Sequence, residues 1–344
     1  MKRLLILLLK VAISATIMGY LIYDAVWGKK NGNVFANLLH QPKQWGMLAA
    51  ALVSCSVAVL LTFVRWWYLV RALDVPCRFT NAIRISFWGY LFNLAPLGIV
   101  GGDLVKTVML GHEQPKHRAK ALASVLVDRV IGLYVLFIVV SVAILLTGFL
   151  RIDVPDIHKI CLFMFGLTIA STLGLAVVMG PDMTDGRVIR AFGRIPRVGP
   201  PLESLIRAVR MYNRKPMVLI VSSILSVGVH CLFAAGCYLI ACGLPGNHLS
   251  LSDHFVVMPL SAAVQVIPVP IGPTEAVLEY LYTHVPSVAG APIAAGQGFV
   301  VALVYRLITL LIAALGVFYY FGNRREMAEA IHEAEREQPT EQET

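Results

Sequence analysis

Charged residues are scarce in this chain. Asp, Glu, Lys and Arg make up 14% of its 344 residues, and 58% of the residues are hydrophobic. A soluble domain carries about 25% charged and roughly 45–50% apolar residues, so an ordinary water-facing globule is excluded. Carboxylates are the scarcer sign, 20 against 29 Lys and Arg, which leaves a formal net charge of +9. In a soluble protein that surplus would suggest nucleic acid. In a chain this apolar it sets orientation in a membrane instead, and no nucleic-acid partner is expected. Chemical motifs are missing as well. There is no CxxC, no HExxH, no P-loop and no dinucleotide fingerprint, so neither a metal site nor a cofactor is expected, and the chain is not expected to be an enzyme. The six cysteines lie mostly in apolar runs and are expected to pack as small hydrophobes.

What is present is a series of long apolar runs. Six can cross a bilayer, at about 4–22, 47–70, 121–149, 158–179, 217–242 and 296–321. The first follows Lys2 and Arg3 as a signal peptide would, but Lys10 interrupts it and no small-residue cleavage site follows, so a retained helix is expected. Arg65, Trp66, Trp67 and Tyr68, near the end of the second run, read as an interfacial anchor.

Two further apolar stretches are broken: NLAPLGIVGGDLVKTVML at 93–110 and FVVMPLSAAVQVIPVPIGPTEAVLEYLY at 255–282. Basic residues flank the first on both sides, from Arg71, Arg78 and Arg84 to Lys116, Arg118 and Lys120. They are also dense over 181–216 and recur at Arg324 and Arg325, whereas 243–254 and 285–295 contain no Lys or Arg. The positive-inside rule then puts both termini in the cytoplasm of an inner-membrane protein, with Lys29, Lys30 and Lys43 running against the trend. Each broken stretch starts and ends on one side, so each is expected to enter, break and return. The fold class expected is all-α and polytopic, with about six spans plus two re-entrant helical hairpins; eight or more simple spans is the competing count.

The two stretches overlay. Asn93 falls on Gln265, Pro96 on Pro268, Gly101 on Pro273 and Asp103 on Glu275, each pair 172 positions apart. The same shift carries 47–70 onto 219–242, and Arg129 finds its counterpart in Arg306 after five more residues. Halves of about 1–150 and 155–322 thus read as span, span, hairpin, span in opposite orientation, an inverted-topology repeat. Residues 1–322 are expected to form one membrane domain and 323–344 a charged cytoplasmic tail.

Broken backbone at membrane depth survives only where protein or a wet cavity satisfies its polar groups. After each break a helix restarts, at Gly101-Gly102-Asp103 and at Gly272-Pro273 with Glu275 in its first turn. Two helix N-termini are therefore expected near the midplane, turned toward one polar chamber, where free N–H groups and dipoles favour an anion. Lys106, Arg129 and Arg306 add positive charge, and Gly101 and Gly102 permit close backbone approach. Asp103 and Glu275 are expected to pair with Arg129 and Arg306, either as structural ties or also as gates or proton relays. Asp128 is expected to pair locally with Arg129, and Glu279 to face the same chamber as Glu275. Asn93 and Gln265 are candidate head-group donors or interhelical ties.

At these residues the chain resembles a known family. NLAPLGIVGGDLVK is similar to the N…P-G-x-x-G-G-D-x-x-R signature of the lysylphosphatidylglycerol synthase transmembrane, or flippase-like, family. ASVLVDRVIGL, RWWYLVRAL and PVPIGPTEAVL resemble its neighbouring segments and second motif. The resemblance implies a membrane domain that moves lipids between leaflets. Lys106 stands where Arg is usual, Leu97 replaces a glycine, and Pro270 and Pro273 stiffen the second hairpin, so the particular lipid is open. No synthase domain is expected after the membrane part.

The expected function is a membrane lipid flippase or transporter acting on a polar or phosphate-bearing head group. Its substrate-binding or transport residues are expected to be Asn93, Gly101, Gly102, Asp103, Lys106, Arg129, Gln265, Gly272, Glu275 and Arg306. Membrane lipids are the expected partners, together with a homo-oligomeric copy or an envelope-lipid enzyme. Two alternatives stand beside it: a secondary transporter of a soluble anion, and a non-transporting partner of an envelope-lipid enzyme.

Overall fold

Apolar runs with no internal proline fold as unbroken helices. The computed structural model describes residues 14–23, 38, 40–94, 101–180, 199–264, 271–288, 290 and 292–322. Five of its helices are long and apolar enough to cross a membrane. They are α2 (Trp45–Ala72), α5 (Arg118–Thr147), α6 (Pro155–Met179), α8 (Pro216–Gly243) and α11 (Gln297–Gly322). Pro155 and Pro216 stand at first helical positions, where a missing N–H costs nothing. These helices match five of the six expected spans to within about three residues. The first expected span falls largely outside the described residues; α1 (Ser14–Tyr23) is its described part. No strand occurs among the described residues.

The two interrupted stretches form pairs of short helices. The first pair is α3 (Phe79–Leu94) and α4 (Gly102–Glu113); the second is α9 (Leu251–Ala263) and α10 (Pro273–His284). The short amphipathic α7 (Gly199–Arg210) is the remaining α-helix among the described residues. At 1.5 Å per residue the paired helices are about 18–24 Å long, short of a hydrocarbon core of about 30 Å. Both return helices have 12 residues.

Within each pair the chain comes back to where it started. Along α3 and α4 the contacts run in opposite order: Asn93 meets Gly102, Gly89 meets Lys106, and Arg84 and Asn81 meet Glu113. The pair is therefore antiparallel, and Arg84 lies 2.5 Å from Glu113 at its open end. At the open end of α9 and α10 the Val288 N–H donates to the His248 carbonyl at 3.2 Å, and the Asn247 amide donates to the Pro292 carbonyl at 3.3 Å. A capping box starts α9: Ser250 Oγ accepts from the Asp253 N–H, and Asp253 Oδ2 accepts from the Ser250 N–H, both at 3.1 Å.

The described residues fall into two compact units. One is drawn from Met1–Leu61, Leu133–Ser171 and Leu225–Thr309 and holds the second pair; the other is drawn from Thr62–Gly132, Thr172–Ile224 and Leu310–Thr344 and holds the first. In the first-named unit, the part of α6 up to Ser171 buries one stripe, Ile157, Cys161 and Met164. Thr168 continues that stripe and is hydrogen-bonded to Ser141 at 2.7 Å. Leu162, Phe163 and Ile169 of α6 are each more than 60% exposed, the surface expected of a helix bathed in lipid. In the other unit the last carbonyls of α2 are met by cations and a hydroxyl. Lys120 Nζ donates to Leu73 at 2.9 Å, Tyr212 Oη donates to Leu69 at 3.0 Å, and Lys215 donates to Ala72. Positive charge at a helix C-terminus is favourable.

Arg65 and Trp66 depart from the expected interfacial anchor. Both are buried, Arg65 at 6% exposure and Trp66 at 0%. Their helix carries them inward, against α5, where partners for both polar groups are available.

The tightest contact in the first pair is backbone on backbone. A Cβ added to Gly102 would lie 1.7 Å from the Gly89 carbonyl oxygen, whereas one added to Gly101 meets nothing within 4 Å among the described residues. The two adjacent glycines therefore serve different ends: Gly102 lets α3 and α4 touch, and Gly101 leaves open space. Gly102→Ala is expected to destabilise the protein by about 1–3 kcal/mol through overpacking, and Gly101→Ala by less than about 0.5 kcal/mol. Thermal unfolding of the two variants in detergent checks this; equal melting temperatures would contradict the assignment.

Candidate functional site

The helix restarts after each break with its leading amide already engaged. At the start of α4, Asn93 Oδ1 reaches across from α3 and accepts from the Gly102 N–H at 2.9 Å. At the start of α10, Glu275 turns back and accepts from the Gly272 N–H at 2.8 Å. The sequence suggested that these groups would be free for an anion. One N–H at each start is instead met by a protein side chain, because a buried N–H without an acceptor is costly. Asn93 is thus an interhelical tie between α3 and α4, while Gln265 lies outside the described residues.

The paired charges fall where the sequence put them. Arg129 of α5 donates from Nε to Asp103 Oδ2 at 2.6 Å and from Nη2 to Oδ1 at 2.7 Å, a bidentate fork on the first turn of α4. Arg306 of α11 donates from Nε and Nη2 to Glu275 Oε1 at 3.0 and 2.5 Å. The pairs differ in setting. The Arg129 and Asp103 side chains are 56% and 39% exposed, whereas Glu275 is 2% exposed and Arg306 25%. Glu275 therefore joins two jobs, capping α10 and holding Arg306, in a sealed position. Gly272 carries φ of +114°, a conformation glycine adopts without penalty, and a Cβ there would strike Ile17.

Three charged residues have roles other than those expected. Asp128 pairs with Arg65, whose Nε donates to Oδ1 at 2.7 Å, and not with its neighbour Arg129. Successive helical residues point about 100° apart, so Asp128 and Arg129 address different partners, Arg65 on α2 and Asp103 on α4. The guanidinium of Arg65 fits because Gly132, one turn beyond Asp128, has no side chain: a Cβ there would sit 3.3 Å from both Nη atoms. Glu279 accepts from the Gly296 N–H at 2.6 Å and the Phe299 N–H at 2.8 Å, so it caps α11. The segment ahead of α11, APIAAG, offers no Ser, Thr, Asn or Asp as a local cap; that gap is the signal from which this role was readable. Lys106 is buried at 7% exposure, with Nζ 5.0 Å from the Trp66 ring centroid and 6.0 Å from that of Phe63. Among the described residues no carboxylate lies within ion-pair distance of it, so cation–π attraction is its direct support.

Around the start of α4, then, three cations (Arg65, Lys106 and Arg129) surround two carboxylates (Asp103 and Asp128) within one electrostatic neighbourhood. At the start of α10 one arginine, Arg306, pairs with one carboxylate, Glu275. Both constellations have the same parts: a helix pair that returns to its open end, a first-turn carboxylate, and an arginine from the following long helix.

Those parts lie within a stretch, residues 7–316, that matches the profile of the lysylphosphatidylglycerol synthase TM region. The chain belongs to that family. No curated protein matches it. Membership in the lysylphosphatidylglycerol synthase TM region family and the multi-pass helical architecture together indicate a membrane protein of lipid metabolism or transport.

The different burial of the two pairs has a measurable consequence. Removing one partner of a sealed pair leaves a buried charge, at a cost of about 3–5 kcal/mol; an exposed pair is worth about 1 kcal/mol or less. Glu275→Ala is expected to lower stability by several times as much as Asp103→Ala. Unfolding of both variants in one detergent, followed by helical circular dichroism, checks the order, and the reverse order would contradict it.

Proposed function

We propose that this protein moves a lipid with a polar, phosphate-bearing head group between the leaflets of an inner membrane. In this reading the two helix pairs are re-entrant hairpins of two inverted halves, about 1–150 and 155–322, and both termini are cytoplasmic. The observation that carries the reading is the half-exposed, bidentate Asp103–Arg129 pair at the start of a helix too short to cross a bilayer. A guanidinium fork binds phosphate as readily as carboxylate. A head group arriving at Arg129 exchanges with Asp103, which resumes its place when the lipid departs. The surplus cation, Lys106, biases that exchange toward an anion, and the open space at Gly101 admits it. Glu275–Arg306 holds the second hairpin in shape and acts on the head group only after its own bonds open. Support also comes from the return of each pair to its open end, through Arg84–Glu113 and through Val288–His248.

Leaflet-resolved movement of a fluorescent phosphatidylglycerol in proteoliposomes tests the proposal. Intact protein is expected to accelerate movement over empty vesicles, with Arg129→Ala lowering the rate at least tenfold and Arg129→Lys less severely, because it keeps charge but loses the fork. Equal rates in intact protein, variant and empty vesicles would end the flippase reading. Single cysteines at positions 84 and 112 are expected to be labelled from the same side of the membrane, and labelling from opposite sides would turn the first hairpin into an ordinary crossing.

A further inference from the structure

At the open end of the first hairpin, away from Asp103 and Arg129, lies a cavity of about 330 Å³ lined by Arg71, Pro76, Cys77, Arg78, Asn81 and Gln114. Its volume is at the lower end of the range for small-ligand sites, roughly 300–1,000 Å³. We propose that it binds a phosphate-bearing anion, held between the guanidinium groups of Arg71 and Arg78.

The charges around it support an anion. Arg71 ends α2 and Arg78 immediately precedes α3. Neither makes an ion pair among the described residues. The nearby carboxylates are engaged elsewhere: Glu113 by Arg84 at 2.5 Å and by the Asn81 amide at 3.3 Å, Asp74 by Lys215 at 3.1 Å. Two positive charges are therefore left over at the cavity. The C-terminal carbonyls of α2, which would repel an anion beside Arg71, are covered by Lys120 and Lys215. On the other wall, Arg78 and Asn81 bring in the first turn of α3, whose leading N–H groups lack helical acceptors. The residues on either side of Arg78 are braced by Trp67, whose indole N–H donates to the Cys77 carbonyl at 3.2 Å and whose ring meets Phe79 edge-on at 5.3 Å. Two arginine forks, one side-chain amide and a helix start form a donor set suited to phosphate oxygens, with room for the esterifying alcohol. Such a phosphate comes either from a lipid head group at the membrane surface or from a soluble phosphate ester.

This site stands on its own charges and does not depend on transport. Purified full-length protein in a neutral detergent is titrated with two probes, dioctanoyl phosphatidylglycerol and the chain-free glycerophosphoglycerol, with Trp fluorescence or calorimetry as readout. Both are expected to bind, more weakly as salt rises. With Arg129→Ala present to silence the other site, the Arg71→Gln/Arg78→Gln substitution is expected to weaken binding at least tenfold with an unchanged ligand-free melting temperature, and Arg71→Lys/Arg78→Lys less. Arg207→Gln, which removes one charge on the exposed face of α7, serves as the control and is expected to leave binding intact. Binding of the lipid alone, lost in the double variant, assigns the phosphate to a head group; binding of the soluble ester alone assigns it to a solute. Three results would overturn the proposal: no binding of either probe, equal binding in the double glutamine variant, or succinate binding as tightly as glycerophosphoglycerol. Loss of flipping in Arg129→Ala with this binding intact separates the two sites.

Discussion

A backbone N–H that starts a helix in apolar surroundings must find an acceptor, and this requirement organises the molecule. Three helices begin where the chain has just been broken or turned, and each is capped by a side chain instead of water. Asn93 serves α4 from the neighbouring helix, Glu275 serves α10 from its own first turn, and Glu279 serves α11 from α10. Without such caps each helix start would leave a buried polar group without a partner, at a cost of about 1–3 kcal/mol. The caps are what allow short helix pairs to exist among long ones.

Once the starts are capped, the charges can be graded by exposure. Arg65–Asp128 is enclosed between α2 and α5, and Glu275–Arg306 is sealed on the carboxylate side. Asp103–Arg129 is open. A closed pair gives shape, because opening it strands a buried charge. An open pair exchanges partners at small cost. The same arginine–carboxylate chemistry thus appears in two settings, closed at Arg65–Asp128 and open at Asp103–Arg129, where the proposed function places the head group. Gly132 and Gly102 make this possible by removing side chains where Arg65 and the Gly89 backbone need the space.

Much of this was legible in the amino-acid order. Long runs without internal proline became long helices, since nothing in them breaks the i to i−4 ladder. The glycine pair and the Gly-Pro step marked helix restarts, and the carboxylates just after them, with arginines about 26–31 residues on, formed the expected pairs. Exposure was less legible. The same apolar periodicity surrounds Trp66, which is buried, and Phe163, which faces outward. A helix that is hydrophobic all round gives no sign of which face meets protein.

What the sequence determined by itself is a multi-pass helical membrane protein with two interrupted segments, because length, hydropathy and helix breakers act locally and no distant contact overrides them. What only tertiary structure decided is who holds whom. Asp128 turned to Arg65 and away from its neighbour, Glu279 capped a helix 17 residues away, and Lys106 settled over Trp66. These choices depend on which helix faces lie opposite one another, and a rotation of one residue, about 100°, changes every partner. Local order cannot encode that angle; it follows from packing the small residues of one helix against the backbone of the next.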